Sequence, residues 1–489
     1  MKKVLLLLLA VLMVLLPLAG CKPKKTNPGE TTDGTETTQP SDSTQDDLGD
    51  KKFTGEEFKV LARQETDYEY KGNEAGSLVD QAVYKRNEAV KNRLDISLNF
   101  VFTDGDWEKS RFAFLTKCRA EVMGGGQDGY DLISTHSVYL GTLGTEGLAL
   151  DLTTLPAINV EKEWWSKSSY EALSLNGHVF EMIGDVGYTI YEYMEAIFIN
   201  ETIFESINED LEELYRLVDD GEWTYDKYFE YVAKYGNKGE GAEESEFTYG
   251  LVTNVHALRA SFMAQDSYVY QRDENGRYYL PDTIPDKLLN LLDRGMREYS
   301  KENVMFPAAG DWGDGKWGDS IFASGRALFY EQTVGTAQKF KESMSNRYGI
   351  LPLPKYDALQ EKYYSECRDT LTAVSVPTTA KSPEKSGYCT EALAMYGYQI
   401  IRPAYYDTVL KVRLVDGPRY GEILDTIRDG LTYGAVGTFT EKAFTQSMFI
   451  DNCFWGNKQP ATVWAENIGW CRKELDAFYS TMEERGILD

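Results

Sequence analysis

Apolar and polar positions change period repeatedly between residues 58 and 136. "FKVLAR" (58–63) is a short apolar run that predicts a strand, and "SLVDQAVYKRNEAVKNRL" (77–94) carries its apolar residues at helical spacing. "DISLNFVF" (95–102) returns to a strand pattern, "WEKSRFAFLTKCRAEVM" (107–123) to a helical one, and "YDLISTH" (130–136) predicts a third strand. A βαβαβ order of this kind predicts a parallel sheet with right-handed crossovers, in which ligands lie beyond the carboxyl ends of the strands. Arg63, Gln64, His136 and Ser137 then share one rim and become candidate ligand contacts. The glycines of "MGGGQDGYD" follow a helix and lack a Lys-Ser/Thr ending, so they predict a helix cap and turn rather than a phosphate loop.

Further along, "GEWTYDKYFEYVAKYG" offers Thr224 as an N-cap, with Tyr228, Phe229 and Val232 following at helical spacing. In "YVYQRDENGRYYL" (268–280) an Asn-Gly pair between Tyr-rich stretches predicts a hairpin, and its acidic residues miss the spacing of a calcium loop.

The start of the chain follows a different pattern. Lys2 and Lys3 precede an apolar run from Val4 to Leu16, Pro17 breaks it, and Ala19 and Gly20 lead to Cys21. The run is too short for a comfortable bilayer crossing and reads as a secretion signal, residues 1–20. Leu18-Ala19-Gly20-Cys21 matches the bacterial lipobox, which implies lipidation of Cys21 and a membrane tether. Lys22, Lys24 and Lys25 lie where they meet anionic headgroups. The Thr, Ser, Gly and Asp of "TNPGETTDGTETTQPSDSTQDDLGD" bury too little to order themselves, so 21–52 reads as lipidated Cys and flexible leash.

Composition then narrows the function of residues 53–489. That length exceeds one ordinary core, so two lobes are expected. A net charge of −27 argues against a nucleic-acid partner. After Cys21, the five remaining cysteines form no CxxC pair; free buried thiols are expected, with Cys453–Cys471 as the alternative pairing. Three histidines and no HExxH motif leave no transition-metal site, and no cofactor is expected.

A set of segments is similar, in order, to extracellular solute-binding proteins of ABC importers, family 1, the carbohydrate class above all. It runs "GYDLIS", "LGTEGLALDLTTLP", "INVEKEWW", "GHVFEMIGD", "EAIFINETIFE", "GEWTYDKYFEYV", "FASGRALFYE", "YGILPLPKYD" and "LTAVSVPTTAKSPEKSGYCTEALAMY". The resemblance spans nearly all of the chain after the leash. It implies an α/β, two-lobed periplasmic-binding-protein-like fold of type II, each lobe a mainly parallel sheet flanked by helices, joined by a hinge of crossing strands. Lobe 1 is placed at about 53–185 and 345–400, and lobe 2 at about 190–340 and 405–489. It also implies a monomer with a carbohydrate ligand and an ABC permease as partner, held at the extracellular face of a Gram-positive cytoplasmic membrane through Cys21.

Sugars are bound by aromatic faces and by groups that bond hydroxyls. With 33 Tyr and 9 Trp the chain has a surplus of rings, most of which must be core. "DVGYTIYEY" (185–193) falls where relatives cross between lobes, which makes Asp185, Tyr188, Tyr191 and Tyr193 candidates. Read as extended chain, it puts Tyr191 and Tyr193 on the cleft face and Tyr188 on the other. Glu331 and Gln332 follow a strand that ends near ligand in relatives, and Trp312 and Trp317 sit in a Gly/Asp-rich loop. Asp311, Asp314 and Asp319 of that loop read as a solvated acidic stretch, with calcium as the alternative.

No catalytic residue is assigned. A secreted carbohydrate-active enzyme would need two facing carboxylates, and 78 acidic residues make such pairs easy to find by accident; there is no nucleophile-elbow motif either. A glycan-binding sensor or adhesin lipoprotein is the other alternative.

Overall fold

The computed structural model describes residues 47–106, 109–241, 243–306, 316–414, 418–434, 439, 445–456 and 458–488. Its first half follows the predicted alternation. Strand β1 (Glu57–Arg63) leads to helix α1 (Leu78–Leu94), whose Ser77 and Asp80 form a reciprocal capping box. Asp95, left-handed at φ 52°, ends α1 and delays strand β2 to Ser97–Thr103. Helix α2 (Arg111–Met123) stops at Gly124, and Gly125, Gly126 and Gly129 take positive φ on the way to strand β3 (Leu132–His136), as a cap and turn require. Helix α3 (Ser137–Thr145) and helix α4 (Lys167–Leu173) follow.

The remaining main strands are β4 (Glu195–Asn200), β5 (Thr248–Val252), β6 (Ala327–Thr333), β7 (Tyr348–Leu351) and β8 (Thr372–Ser375). They make two sheets. The first has order β8-β3-β1-β2, with β1 parallel to both β2 and β3 and β8 antiparallel on β3. The second has order β7-β4-β6-β5, extended by Gly236–Asn237, with Val304–Met305 parallel to β5.

Two expectations need correction. The second sheet is mixed rather than mainly parallel, because β4 runs antiparallel between β6 and β7, with Phe198 opposite both Tyr330 and Ile350. For the same reason β7 belongs to the second sheet, so the chain returns to the first sheet at Thr372 and not near residue 345.

Burial explains the registers. Every residue of β4 and β6 is buried, as expected of strands covered on both faces. In β1 the alternation divides two cores: Phe58, Val60 and Ala62 join Trp164, Trp165 and Leu393, while Leu61 joins the larger core that runs on to β4 and β6. Helix α5 (Pro383–Tyr396) packs on α1 and continues in wider, π-type turns through Gly397–Ile401 and Pro403–Leu414. Asn200 and Thr224 cap the helices Glu201–Ser206 and Tyr225–Val232, and Gln271–Arg272 pairs with Tyr278–Tyr279 across a turn that needs Gly276 at φ +76°. Cys118, Cys367, Cys389, Cys453 and Cys471 are buried free thiols, so Cys453 and Cys471 do not pair.

Candidate functional site

Two chain segments pass side by side between the sheets. Met182 bridges Val374 and Met194 bridges Cys367, both antiparallel. Between these points Thr372 N donates to Thr189 Oγ1 (2.9 Å) and Arg368 N to Tyr193 O (3.2 Å), and just beyond the second Ser365 Oγ donates to Glu195 O (2.7 Å). A third link is the helix that continues α5: a Cβ on Gly397 would lie 1.7 Å from Asp185 O, so only glycine lets it approach the crossing.

The first crossing is not extended at its tyrosines. Glu69, fully buried, accepts from Tyr188 N (2.7 Å), Thr189 N (2.9 Å) and Thr372 Oγ1 (2.5 Å), and its carboxylate nucleates one helical turn at Thr189–Glu192. The alternating faces read from "DVGYTIYEY" therefore do not exist. Tyr188 packs between Tyr68 and Tyr405, while Tyr191 stacks near Tyr406 and donates to Asp185 Oδ1 (2.5 Å); all three of Tyr188, Tyr191 and Asp185 are buried. Burial pushes Asp185 up to about 7, against the Tyr191 hydroxyl. Only Tyr193 of the three tyrosines is half-buried.

On the first rim Arg63 and His136 touch. Arg63 Nη1 lies against both ring nitrogens of His136, Nδ1 (2.7 Å) and Nε2 (3.1 Å), and Nη2 donates to Thr370 O (2.8 Å), tying β1 and β3 to the second crossing. A guanidinium only donates, so one ring nitrogen accepts from Arg63 and the other donates to a carbonyl, Thr370 O (3.0 Å from Nδ1) or Gly105 O (3.2 Å from Nε2). Burial and Arg63 hold His136 down at about 3, hence neutral. Ser137 Oγ donates to buried Glu181 (2.9 Å), whose carboxyl burial lifts to about 8. Gln64 is exposed and donates to Asp67 (2.6 Å).

The second rim is built by β6 and β4. Glu331 is enclosed by hydroxyls of Tyr228 (3.0 Å), Tyr299 (3.2 Å) and Thr253, and burial raises it to about 7 despite them. Gln332 Oε1 accepts from Arg368 Nη2 (2.6 Å), whose Nε donates to Glu195 (2.6 Å). Trp317 is half-buried on the helix Lys316–Ala323 rather than in a loop. On that helix Asp319 is paired with Lys339 (2.6 Å). Trp312, Asp311 and Asp314 lie outside the described residues.

The structure thus joins Arg63 to His136, Asp185 to Tyr191, and Gln332 to an arginine that sequence reasoning missed. Arg368 is the only described residue that bonds both Glu195 and Gln332 of the second sheet while its own backbone holds the first crossing. Glu366 and Asp369 flank it. Burial raises both carboxyls, and each feels the pull of Arg259 and Arg368; Glu366 is raised further by Asp369 and Glu195. His256, half-buried, is held well below its usual range by burial and by Arg368. Glu192 reaches about 7 through burial and the neighbouring Glu69. The sequence did carry one signal: Glu195 is a lone charge opening the otherwise apolar strand "EAIFIN", and a charge there needs a buried partner.

Among the described residues no group of three or more His, Cys, Asp or Glu is placed to hold a metal ion, and no helix is long and apolar enough to cross a membrane. A groove of about 740 Å³, lined by Glu201, Glu209, Arg347, Arg419 and Tyr420 among others, contains no crossing residue. The crossing instead concentrates ionisable groups from the ends of both sheets, which is where a two-lobed α/β protein encloses a ligand.

No protein-family profile matches the chain, and no curated protein matches it by sequence. Solved structures do. An ABC substrate-binding protein of Listeria monocytogenes in complex with cycloalternan superposes with a TM-score of 0.54 at 12% identity, over 88% of this chain and 99% of that one. The GacH receptor of Streptomyces glaucescens, solved unliganded and with acarbose, gives 0.53 at 11% identity, over 87% and 99%. The maltose-bound MalE3 of T. maritima gives 0.53 at 14% identity, over 86% and 99%. The chain shares their two-lobed α/β fold.

Proposed function

We propose that this chain is the substrate-binding component of an ABC importer, that it captures a sugar or oligosaccharide between its lobes, and that it is not an enzyme. The observation that carries the reading is the pair of adjacent crossings, 182–195 and 365–374, with polar groups of both sheets gathered on them. The solved proteins of this fold named above carry cycloalternan, acarbose and maltose in their own complexes, which supports a carbohydrate ligand here. The half-buried or exposed edges of Tyr193, Glu366, Arg368 and Asp369 are the proposed hydroxyl-binding groups, with Gln64, Gln332 and Trp317 retained as candidates at the margins. Arg63, His136, Ser137, Asp185, Tyr188, Tyr191 and Glu331 are proposed to hold the rims and the hinge in shape.

Transport follows from closure. The lobes exchange between open and closed arrangements, a ligand touching both rims favours the closed one by its differential affinity, and the closed form is what the permease recognises. Cys21 is proposed to carry the lipid that keeps a monomer at the extracellular face of the cytoplasmic membrane.

Two experiments test this. A thermal-shift screen of the purified protein against a glycan panel is expected to find a sugar that raises the melting temperature, since saturation at about 100 times Kd adds about 2.7 kcal/mol. X-ray scattering with that sugar is expected to show a smaller radius of gyration, and a panel with no responder would remove the carbohydrate reading. Separately, Cys21→Ala is expected to abolish lipidation and leave precursor or shed protein in cell fractions with sugar binding retained. A mutant still anchored in the membrane fraction would overturn the tether.

A further inference from the structure

The lobes also meet at a second place, away in sequence from the crossings. Helix α6 (Pro460–Glu484) packs against the Tyr278–Tyr279 strand of the hairpin and against the helix Asp286–Tyr299, which adjoins Val304–Met305 of the second sheet. Helices α3 and α4 are assigned to the other lobe: α3 follows β3 and packs on β8, and α4, which also packs on Leu431–Thr432, starts from Ser166, whose N–H donates to Ile183 O (2.9 Å). Arginines of the second lobe reach the ends of both helices. Arg272 donates from Nη1 to Glu171 O (2.8 Å) and from Nη2 to Ala172 O (3.0 Å), and Tyr278 Oη also donates to Ala172 O (3.0 Å). Arg485 Nη1 donates to Gly144 O (3.1 Å) and to Thr145 O.

Four carbonyls at each helix end have no partner within the helix, and they carry the negative end of its dipole. A guanidinium is suited to that position in both charge and geometry. Both arginines are also pre-placed. Arg272 lies over the Tyr278 ring with its Cζ 4.5 Å from the centroid, and Gly147, at φ +80°, leaves room where a Cβ would come within 2.9 Å of Arg485 Nη2. Beside these contacts a groove of about 340 Å³ runs between Leu175 and Asn176 on one side and Asn275, Gly276, Arg277, Tyr479 and Leu488 on the other. At this stretch the polar contacts lie at the margin of a buried apolar cluster that takes in Leu143, Leu173 and Leu175 together with Phe478 and Leu488.

We infer that Arg272 and Arg485 form a closure latch, two arginines of the second lobe that cap the C-termini of α3 and α4 in the first lobe and bias the empty protein toward the closed arrangement. The inference rests on the two-lobe closure proposed above. Opening the lobes here returns four carbonyls, two guanidinium groups and the Tyr278 hydroxyl to water, and each protein–water exchange of this kind is modest, so the arginines shift a population on top of the apolar contact and do not lock the protein. Closure that is already partly populated lets a ligand bind more tightly, because the apparent affinity scales with the competent fraction.

The test is scattering on sugar-free protein. The Arg272→Ala/Arg485→Ala double variant is expected to show a larger radius of gyration than wild type while melting cooperatively, to contract further than wild type when the responding sugar is added, and to bind that sugar about 3–10-fold more weakly. Arg272→Gln/Arg485→Gln keeps one donor at each site and is expected to expand less; it also serves if the alanine pair does not fold. An unchanged radius in the sugar-free state, in whichever pair melts cooperatively, overturns the latch. Expansion without response to any glycan keeps the latch and removes the sugar reading, so the two failures are distinct.

Discussion

Replacing Arg86 with alanine is expected to lower stability by about 3–5 kcal/mol, the range for stripping one partner from a buried charge network. Arg86 is fully buried on α1. It donates from Nη1 to Val186 O (2.6 Å), from Nη2 to Glu69 O (2.6 Å) and from Nε to Asn87 Oδ1 (2.8 Å), with the Tyr70 ring 5.7 Å from Cζ. Burial holds its guanidinium down at about 10, still charged at neutral pH. Truncation would orphan two main-chain carbonyls and leave the buried Glu69 carboxylate without its neighbouring cation. That carboxylate organises the turn at Thr189–Glu192, so the damage falls on the first crossing as well as on the core. Arg86→Lys is expected to recover little, since an ammonium cannot span acceptors set for a planar fork. Urea titration reads the loss as a lower midpoint at unchanged slope. A loss under about 1 kcal/mol would mean the network contributes nothing net, as some buried ion networks do.

Arg86 and Glu69 also mark where sequence reading stops. The first sheet was legible because its strands and helices differ in period over residues 58–136, and because Gly124 ends a helix there locally, as Thr224 starts one beside the second sheet. The register of "DVGYTIYEY" was not legible. Its conformation is set by a carboxylate 119 residues away, from Glu69 to Tyr188, and nothing within the segment reveals that partner. The placement of β7 was hidden for a similar reason: "YGIL" fits either sheet, and only its pairing with β4 decides. Among the candidate site residues, Arg63 and His136 meet as neighbours because parallel β1 and β3 deliver their ends together, which strand order alone implies. Arg368 was missed because it sits in the short approach to β8, where no periodicity singles it out.

Arg368 carries the second large effect. Arg368→Met is expected to lose about 3–5 kcal/mol at pH 8, because Glu195, 1% exposed, would keep its charge with no cation 2.6 Å away. Glu366 and Asp369 add like charge near the same place. The pH dependence follows from linkage. Without Arg368 the Glu366 and Asp369 carboxyls, already raised by burial, lose a cation that lowers them and rise further; the native state then binds more protons than the unfolded one, and the variant loses stability as pH climbs through the interval between the two. The defect should therefore be deepest at pH 8 and shallow at pH 5. Adding Glu195→Gln removes the stranded charge, so the double variant is expected to recover most of the stability, a strong positive coupling in a double-mutant cycle. Ligand binding should not recover with it. Arg368 Nη2 also holds Gln332 Oε1 at 2.6 Å, and its remaining face is proposed to bond the sugar, so the stable double variant is expected to bind about tenfold more weakly or worse, as for a lost charge-assisted hydrogen bond. Calorimetric titration of the double variant with the responding sugar decides it: normal affinity would confine Arg368 to holding the hinge together.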